Sequence, residues 1–179
     1  MAQKAPSIRT SELKRGTPGT DDTVREMIRL IRSGSKNAEV QRIARSLKSK
    51  SDSDYDYLKN AHNLVVDTIE YRHDTWKGED AEVVASARLT LAGDMNYGDC
   101  DDMVVALATL LKLNNIPVRI KVVAWKPQYK DQFTHVYLLA YVPSLDVWIP
   151  CDPVRDATLH ESGFGWEVTP VYKSKTYDV

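Results

Sequence analysis

The stretch from Asp99 to Asn114, DCDDMVVALATLLKLN, constrains the fold more than any other part of the chain. Its apolar positions Met103, Val104, Leu107, Leu110 and Leu111 recur at intervals of three and four, the period of a buried helical face. Asp99 is placed to cap that helix. Asp101 and Asp102 fall in the first turn, where carboxylates meet the positive end of the helix dipole. NNIPV ends it, because Asn favours a C-cap position and Pro117 cannot continue a helix.

The segments on either side have different periods. Upstream, Val24, Met27, Ile28 and Ile31 predict a helix that starts with Thr20 or Asp21 as N-cap and stops at Gly34. NAEVQRIARSLKS predicts a second, with Val40, Ile43, Ala44 and Leu47 on one face, and a third runs from about Tyr55 to Tyr71, burying Leu58, Ala61, Val65 and Ile69. GEDAEVVASARLTLAGD predicts a short helix, or a turn and helix. Downstream, VRIKVVAW, FTHVYLLAYV and VWIPCD are rich in β-branched and aromatic residues and read as strands, the last two joined by the turn PSLD. Helices first and an antiparallel sheet after them make an α+β pattern, a central helix packed on a sheet.

Length and charge set the frame. A chain of 179 residues, 27% charged and 42% hydrophobic with a net charge of -1, has the composition of a globular protein with one core. No apolar stretch reaches membrane-spanning length and residues 1–20 lack a signal-peptide core, so the expected location is the cytoplasm, with no membrane partner. Two cysteines, Cys100 and Cys151, are expected as thiols there. Residues 1–50 hold 12 basic and 5 acidic side chains, against 12 and 20 in residues 51–179. The organisation this suggests is a flexible arm at 1–20, a basic helical extension at 21–54 and a core at 55–179.

Cys100 stands at the tip of the predicted central helix, where unpaired backbone N–H groups and the dipole stabilise a thiolate. The neighbouring aspartates oppose this, since nearby negative charge raises a thiol pKa. Reaction at neutral pH therefore calls for an imidazolium. His62 lies beside an apolar stripe in the third helix, His73 in a polar connector and His160 in a loop, all positions suited to packing or surface roles. His135 is on a strand. A four-residue loop at 143–146 pairs Val142 with Val147, which sets Asp152 opposite Tyr137 and makes it the diagonal neighbour of His135. A slip of one residue would put the two on opposite faces. The same register collects Val136, Leu138, Ala140, Val142, Val147, Ile149 and Cys151 on one apolar face, so Cys151 reads as a core residue. Tyr141 and Trp148 share the His135 face and are candidates to line a substrate cleft. Trp125 and Trp166 flank the strands as core or rim residues.

In GDCDD, IPVRI, THVYLLAYV and the Asp152–Pro153 step, roughly residues 55 to 155 resemble the transglutaminase-like superfamily, with arrangements similar to small proteins of bacteria and tailed phages. Ala87 stands where that family commonly has proline. The resemblance implies a papain-like fold with a Cys100–His135–Asp152 triad. It also implies an oxyanion hole made from the cysteine's own N–H and an upstream side chain, Tyr97 or Asn96.

Such a triad performs acyl transfer on the amides of a protein or peptide substrate. Water as acceptor gives a peptidase or deamidase and a lysine amine gives a cross-link. Hydrolysis is favoured because the sequence shows no recognisable calcium site or additional domain. The alternative is an inactive binding or structural module, in a phage virion if the chain is phage-encoded. No cofactor is expected. No metal is expected either: DMNYGDCDD places Asp99 and Val105 where an EF-hand needs Gly and Glu, and the cysteines and histidines lack paired zinc-ligand spacing. Arg25, Arg29, Arg32 and Lys36, joined by Arg42 and Arg45, form either a solvated face or a surface for an acidic partner.

Overall fold

In the computed structural model, residues 17–73, 75–76, 79–80, 84–93, 95–154, 164–165 and 171–179 are described. The predicted central helix is α5, Cys100–Leu113. Its two ends are fixed by side chains and turns the sequence specifies. At the start, Asp99 accepts from the backbone N–H of Asp101, and the Asp102 side chain accepts in return from the Asp99 N–H, a reciprocal capping box. At the end, Asn115 takes a left-handed conformation at φ 58°, the N–H of Ile116 reaches back to the Leu111 carbonyl and that of Asn115 to Lys112. That bond pair is a Schellman motif, and buried Ile116 supplies its apolar contact.

The helix is buried on all sides rather than along one face. Val105, Ala106, Ala108 and Thr109 are as enclosed as the predicted stripe, because α5 packs against four other helices and the sheet. These helices are α1 (Thr17–Gly34), α2 (Ala38–Lys48), α3 (Asp54–Thr68) and α4 (Ala87–Ala92). Helical backbone begins at Thr17, inside the stretch read as an arm, with Pro18 in a first turn that tolerates its missing N–H; residues 1–16 lie outside the described residues. Gly34 ends α1 as expected and also lets it approach α5, since a Cβ there would stand 3.2 Å from the Thr109 methyl. Asn37 and Ser53 cap α2 and α3 by accepting backbone N–H bonds. Val24, Met27, Ile31, Val40 and Ala44 of the first two helices belong to the same hydrophobic core as α5.

The third helix stops three residues short of the predicted Tyr71. Glu70–Tyr71 instead forms a strand, β1, because the Glu70 N–H is taken by the Asn96 carbonyl and the Arg72 N–H by Gly98. Two short strands, β2 (Thr75–Trp76) and β3 (Glu79–Asp80), pair with each other, and β4 (Tyr97–Gly98) runs parallel to β1. The main sheet contains β5 (Val118–Ala124), β6 (His135–Val142), β7 (Val147–Cys151) and β8 (Lys173–Asp178) in the order β7-β6-β5-β8, antiparallel throughout. Val142 pairs with Val147 and Leu138 with Cys151, the register read from the four-residue turn. Asp146 closes that turn at φ 53° while accepting from the Tyr141 hydroxyl. Val136, Leu138, Ala140, Val142 and Cys151 are buried on the core side; Val147, beside the turn, is exposed.

Candidate active site

Three elements deliver the predicted catalytic side chains. Cys100 is the first residue of α5 and is half-buried. His135 opens β6, the strand across which α5 packs. Asp152 follows β7 directly. The structure brings His135 and Asp152 together: His135 Nε2–H donates to Asp152 Oδ2 at 2.6 Å, with both side chains only 2% exposed. The other carboxylate oxygen, Oδ1, accepts from the Val154 N–H at 3.1 Å. The carboxylate is therefore held at both oxygens, one by the backbone and one by the imidazole. Since Nε2 is committed to Asp152, Nδ1 is the ring nitrogen left to act on a nucleophile.

The imidazole is also held from its faces. Trp125 stacks on it at 5.7 Å between centroids and 27° between planes, and Tyr137 lies on the same strand face at 6.2 Å and 29°. Trp125, read from sequence only as a core or rim residue, thus contacts His135. Trp166 and His160 lie outside the described residues.

The cysteine end is built around a buried carboxylate. Asp102 is fully buried; Oδ1 accepts from the Ala85 N–H and Oδ2 from the Asp99 N–H, so it ties the approach to α4 to the tip of α5. Gly98 is required beside it, since a Cβ there would come within 2.7 Å of the Asp102 Cβ. Carboxylate oxygens of Asp99, Asp101 and Asp102 lie within 4.8 Å of one another. Helix capping engages Asp99 and Asp102, and Asp101 lies in the same first turn, where a carboxylate meets the positive end of the helix dipole. Cys151 is fully enclosed, and burial first, then the adjacent Asp152 charge, pushes its thiol far above the ordinary value.

The remaining predicted residues stand further out. Asn96 and Tyr97 are exposed in the loop before Cys100, with the Arg72 guanidinium 4.8 Å from the centre of the Tyr97 ring. Tyr141 and Trp148 face each other across β6 and β7 at 5.4 Å, and Arg119 covers Trp148 at 4.3 Å. They share the His135 face, as the register predicts. Six residues of strand separate Tyr141 from His135, about 20 Å at the usual rise, so they meet only a substrate extended along the sheet. His73, read as a connector residue, contacts Tyr71. His62, read as a packing or surface residue, is buried, and its Nε2–H donates to the main-chain carbonyl of Asp152 at 2.9 Å. Its place four residues after Leu58 and three before Val65 already put it beside the buried stripe.

A helix carrying a cysteine at its tip, packed on a sheet carrying a His–Asp pair, defines a papain-like α+β protein. The chain belongs to the transglutaminase-like superfamily, which matches residues 41–153. Two solved structures are similar in fold. One is a candidate cysteine protease from Cytophaga hutchinsonii, with 17% identity and a TM-score of 0.51 over 77% of this chain and 49% of that one. The other is a candidate protease from Parabacteroides distasonis, with 13% identity and a TM-score of 0.54 over 79% of this chain and 30% of that one. The chain thus spans about half the length of the first and under a third of the second. No curated protein matches it by sequence.

Proposed function

We propose that the protein is a cysteine hydrolase acting on protein or peptide amides through Cys100, His135 and Asp152. The observation that carries the reading is the buried bond from His135 Nε2–H to Asp152, which leaves Nδ1 as the base. In this mechanism Nδ1 takes the Cys100 proton and the thiolate attacks the amide carbonyl. The oxyanion is met by the Cys100 N–H at the positive end of α5 and by Tyr97 or Asn96. The imidazolium then protonates the leaving amine as the C–N bond breaks, giving a thioester on Cys100. Water, deprotonated by the same Nδ1, hydrolyses it and restores the thiol. Asp152 stays ionised, fixes the tautomer and stabilises the imidazolium.

Hydrolysis is favoured over transfer to an amine, and the protease descriptions of the two structural neighbours agree with it. The test is labelling with a peptidyl electrophile that mimics an amide substrate, followed by mass mapping. Modification confined to Cys100 and lost in His135→Ala supports an enzyme. Absence of labelling in folded protein would leave the binding-module alternative.

A further inference from the structure

We infer that His62 is a positioning residue for the catalytic carboxylate, an inference that rests on the triad reading above and extends it to a fourth side chain. His62 is 6% exposed, and its Nε2 lies 2.9 Å from the main-chain oxygen of Asp152. A carbonyl oxygen only accepts, so the proton sits on Nε2. The other ring nitrogen, Nδ1, is buried with no hydrogen-bond partner among the described residues. A leucine would fill such a place in the α3 stripe with no polar cost, whereas a buried nitrogen without a partner loses its hydration with nothing in return. Packing therefore does not account for an imidazole here. The hydrogen bond from its Nε2–H to Asp152 does.

That bond falls where the sheet stops helping. The ladder between β6 and β7 ends at Cys151, so the Asp152 peptide is the first beyond it. Three contacts replace the ladder: His62 on the main-chain oxygen, Val154 N–H on Oδ1 and His135 on Oδ2. Pro153 restricts the Asp152 backbone to extended conformations but leaves the direction of its carbonyl adjustable within them. His62 sets that direction, and with it the direction of Oδ2 toward the imidazole. The ring is itself held: Phe164 packs edge-on against it at 5.6 Å and against Tyr55 at 5.6 Å. Phe164 bridges to Cys151, and the Gly165 N–H donates to the Pro150 carbonyl. Helix α3 and the end of β7 are thus clamped around the residue that orients the base.

The experiment is the pH profile of Cys100 alkylation by iodoacetamide in the intact chain, with Cys151 labelling as the check on folding. His62→Leu should slow Cys100 labelling at pH 6 about tenfold, as a rise of one pH unit in the titration midpoint gives. His62→Gln, whose amide N–H occupies the place of Nε2–H, should restore the wild-type profile. In an Asp152→Asn background, His62→Leu should add almost nothing, because the carboxylate through which it acts has gone. The inference is overturned if folded His62→Leu keeps the wild-type profile, if folded His62→Gln is as slow as Asp152→Asn, or if the leucine costs the same factor with and without Asp152. Should His62→Leu expose Cys151 by unfolding, the glutamine variant decides alone: a wild-type profile supports the assignment and the Asp152→Asn profile overturns it. Wild-type Cys100 labelling no faster than Cys151 would instead defeat the triad reading itself.

Discussion

At the scale of single residues, the two cysteines offer an internal comparison. Cys100 is half-buried at a helix tip; Cys151 is enclosed by the core, and burial raises its pKa. Iodoacetamide is therefore expected to modify Cys100 at least about tenfold faster than Cys151 in the native protein, a difference that denaturant should erase. Equal slow labelling of both would remove the nucleophile. His135 and Asp152 separate charge from geometry in a second measurement. His135→Ala deletes the proposed base and should abolish the rapid labelling below neutral pH. Asp152→Asn retains an oxygen able to accept from the Val154 N–H but loses the charge that favours the imidazolium, so it should slow labelling without abolishing it. The pairing was legible because strand registers count in whole residues: once PSLD is read as a four-residue loop, Asp152 can only fall on the His135 face. His62 was not legible as part of the site. Its partner is a main-chain oxygen 90 residues away, and no periodicity marks a contact of that kind.

At the scale of elements, what carried over from sequence was what local chemistry decides. Asp99, Asn114 and Pro117 bracket α5 because caps and breakers act within a turn of themselves. What did not carry over depends on distant partners. Ile69 and Glu70 continue the helical pattern of α3, yet the backbone at Glu70 is captured by the loop at Asn96. The strand KSKTYD went unread because it lies at the sheet edge, where lysines alternate with small polar residues and replace the apolar signal of an inner strand. The loop captured by β1 is also the one that presents Cys100, and Gly98 is its tightest point. Gly98→Ala would drive a methyl into Asp102, whose two oxygens already hold Ala85 and Asp99. The variant should lose about 1–3 kcal/mol of stability, the usual cost of overpacking. It should also slow Cys100 alkylation more than Gly34→Ala, whose methyl would press on Thr109, nine residues along α5 from Cys100. Equal effects of the two substitutions on Cys100 would show that Asp102 does not set the helix tip.

At the scale of the whole molecule, the basic N-terminal third is joined to the acidic remainder. The apolar faces of α1 and α2 enter the common core, while Arg25 pairs with Asp22 and Arg29 with Glu26 on the outer surface. Asp21 makes the link across the chain: its Oδ1 accepts from Lys175 Nζ and from the Tyr177 hydroxyl, fastening α1 to β8. Those two hydrogen bonds hold the Asp21 carboxyl below its ordinary range, and the bond to Asp21 holds Lys175 above its own. The signs give the pH dependence. A depressed carboxylate contributes stability that is present above its unfolded pKa and fades as pH falls through the lower folded value. A raised lysine contributes stability that is present below its unfolded pKa and fades as pH rises through the higher folded value. The tie is therefore complete between about pH 4 and pH 10 and weakens on both sides. Asp21→Asn should lower the melting temperature at neutral pH, and the gap to wild type should close toward both extremes. Thermal melts of the two proteins from pH 2 to pH 11 would test this, and a gap that persists at pH 2 would mean that Asp21 acts through packing and not through its charge.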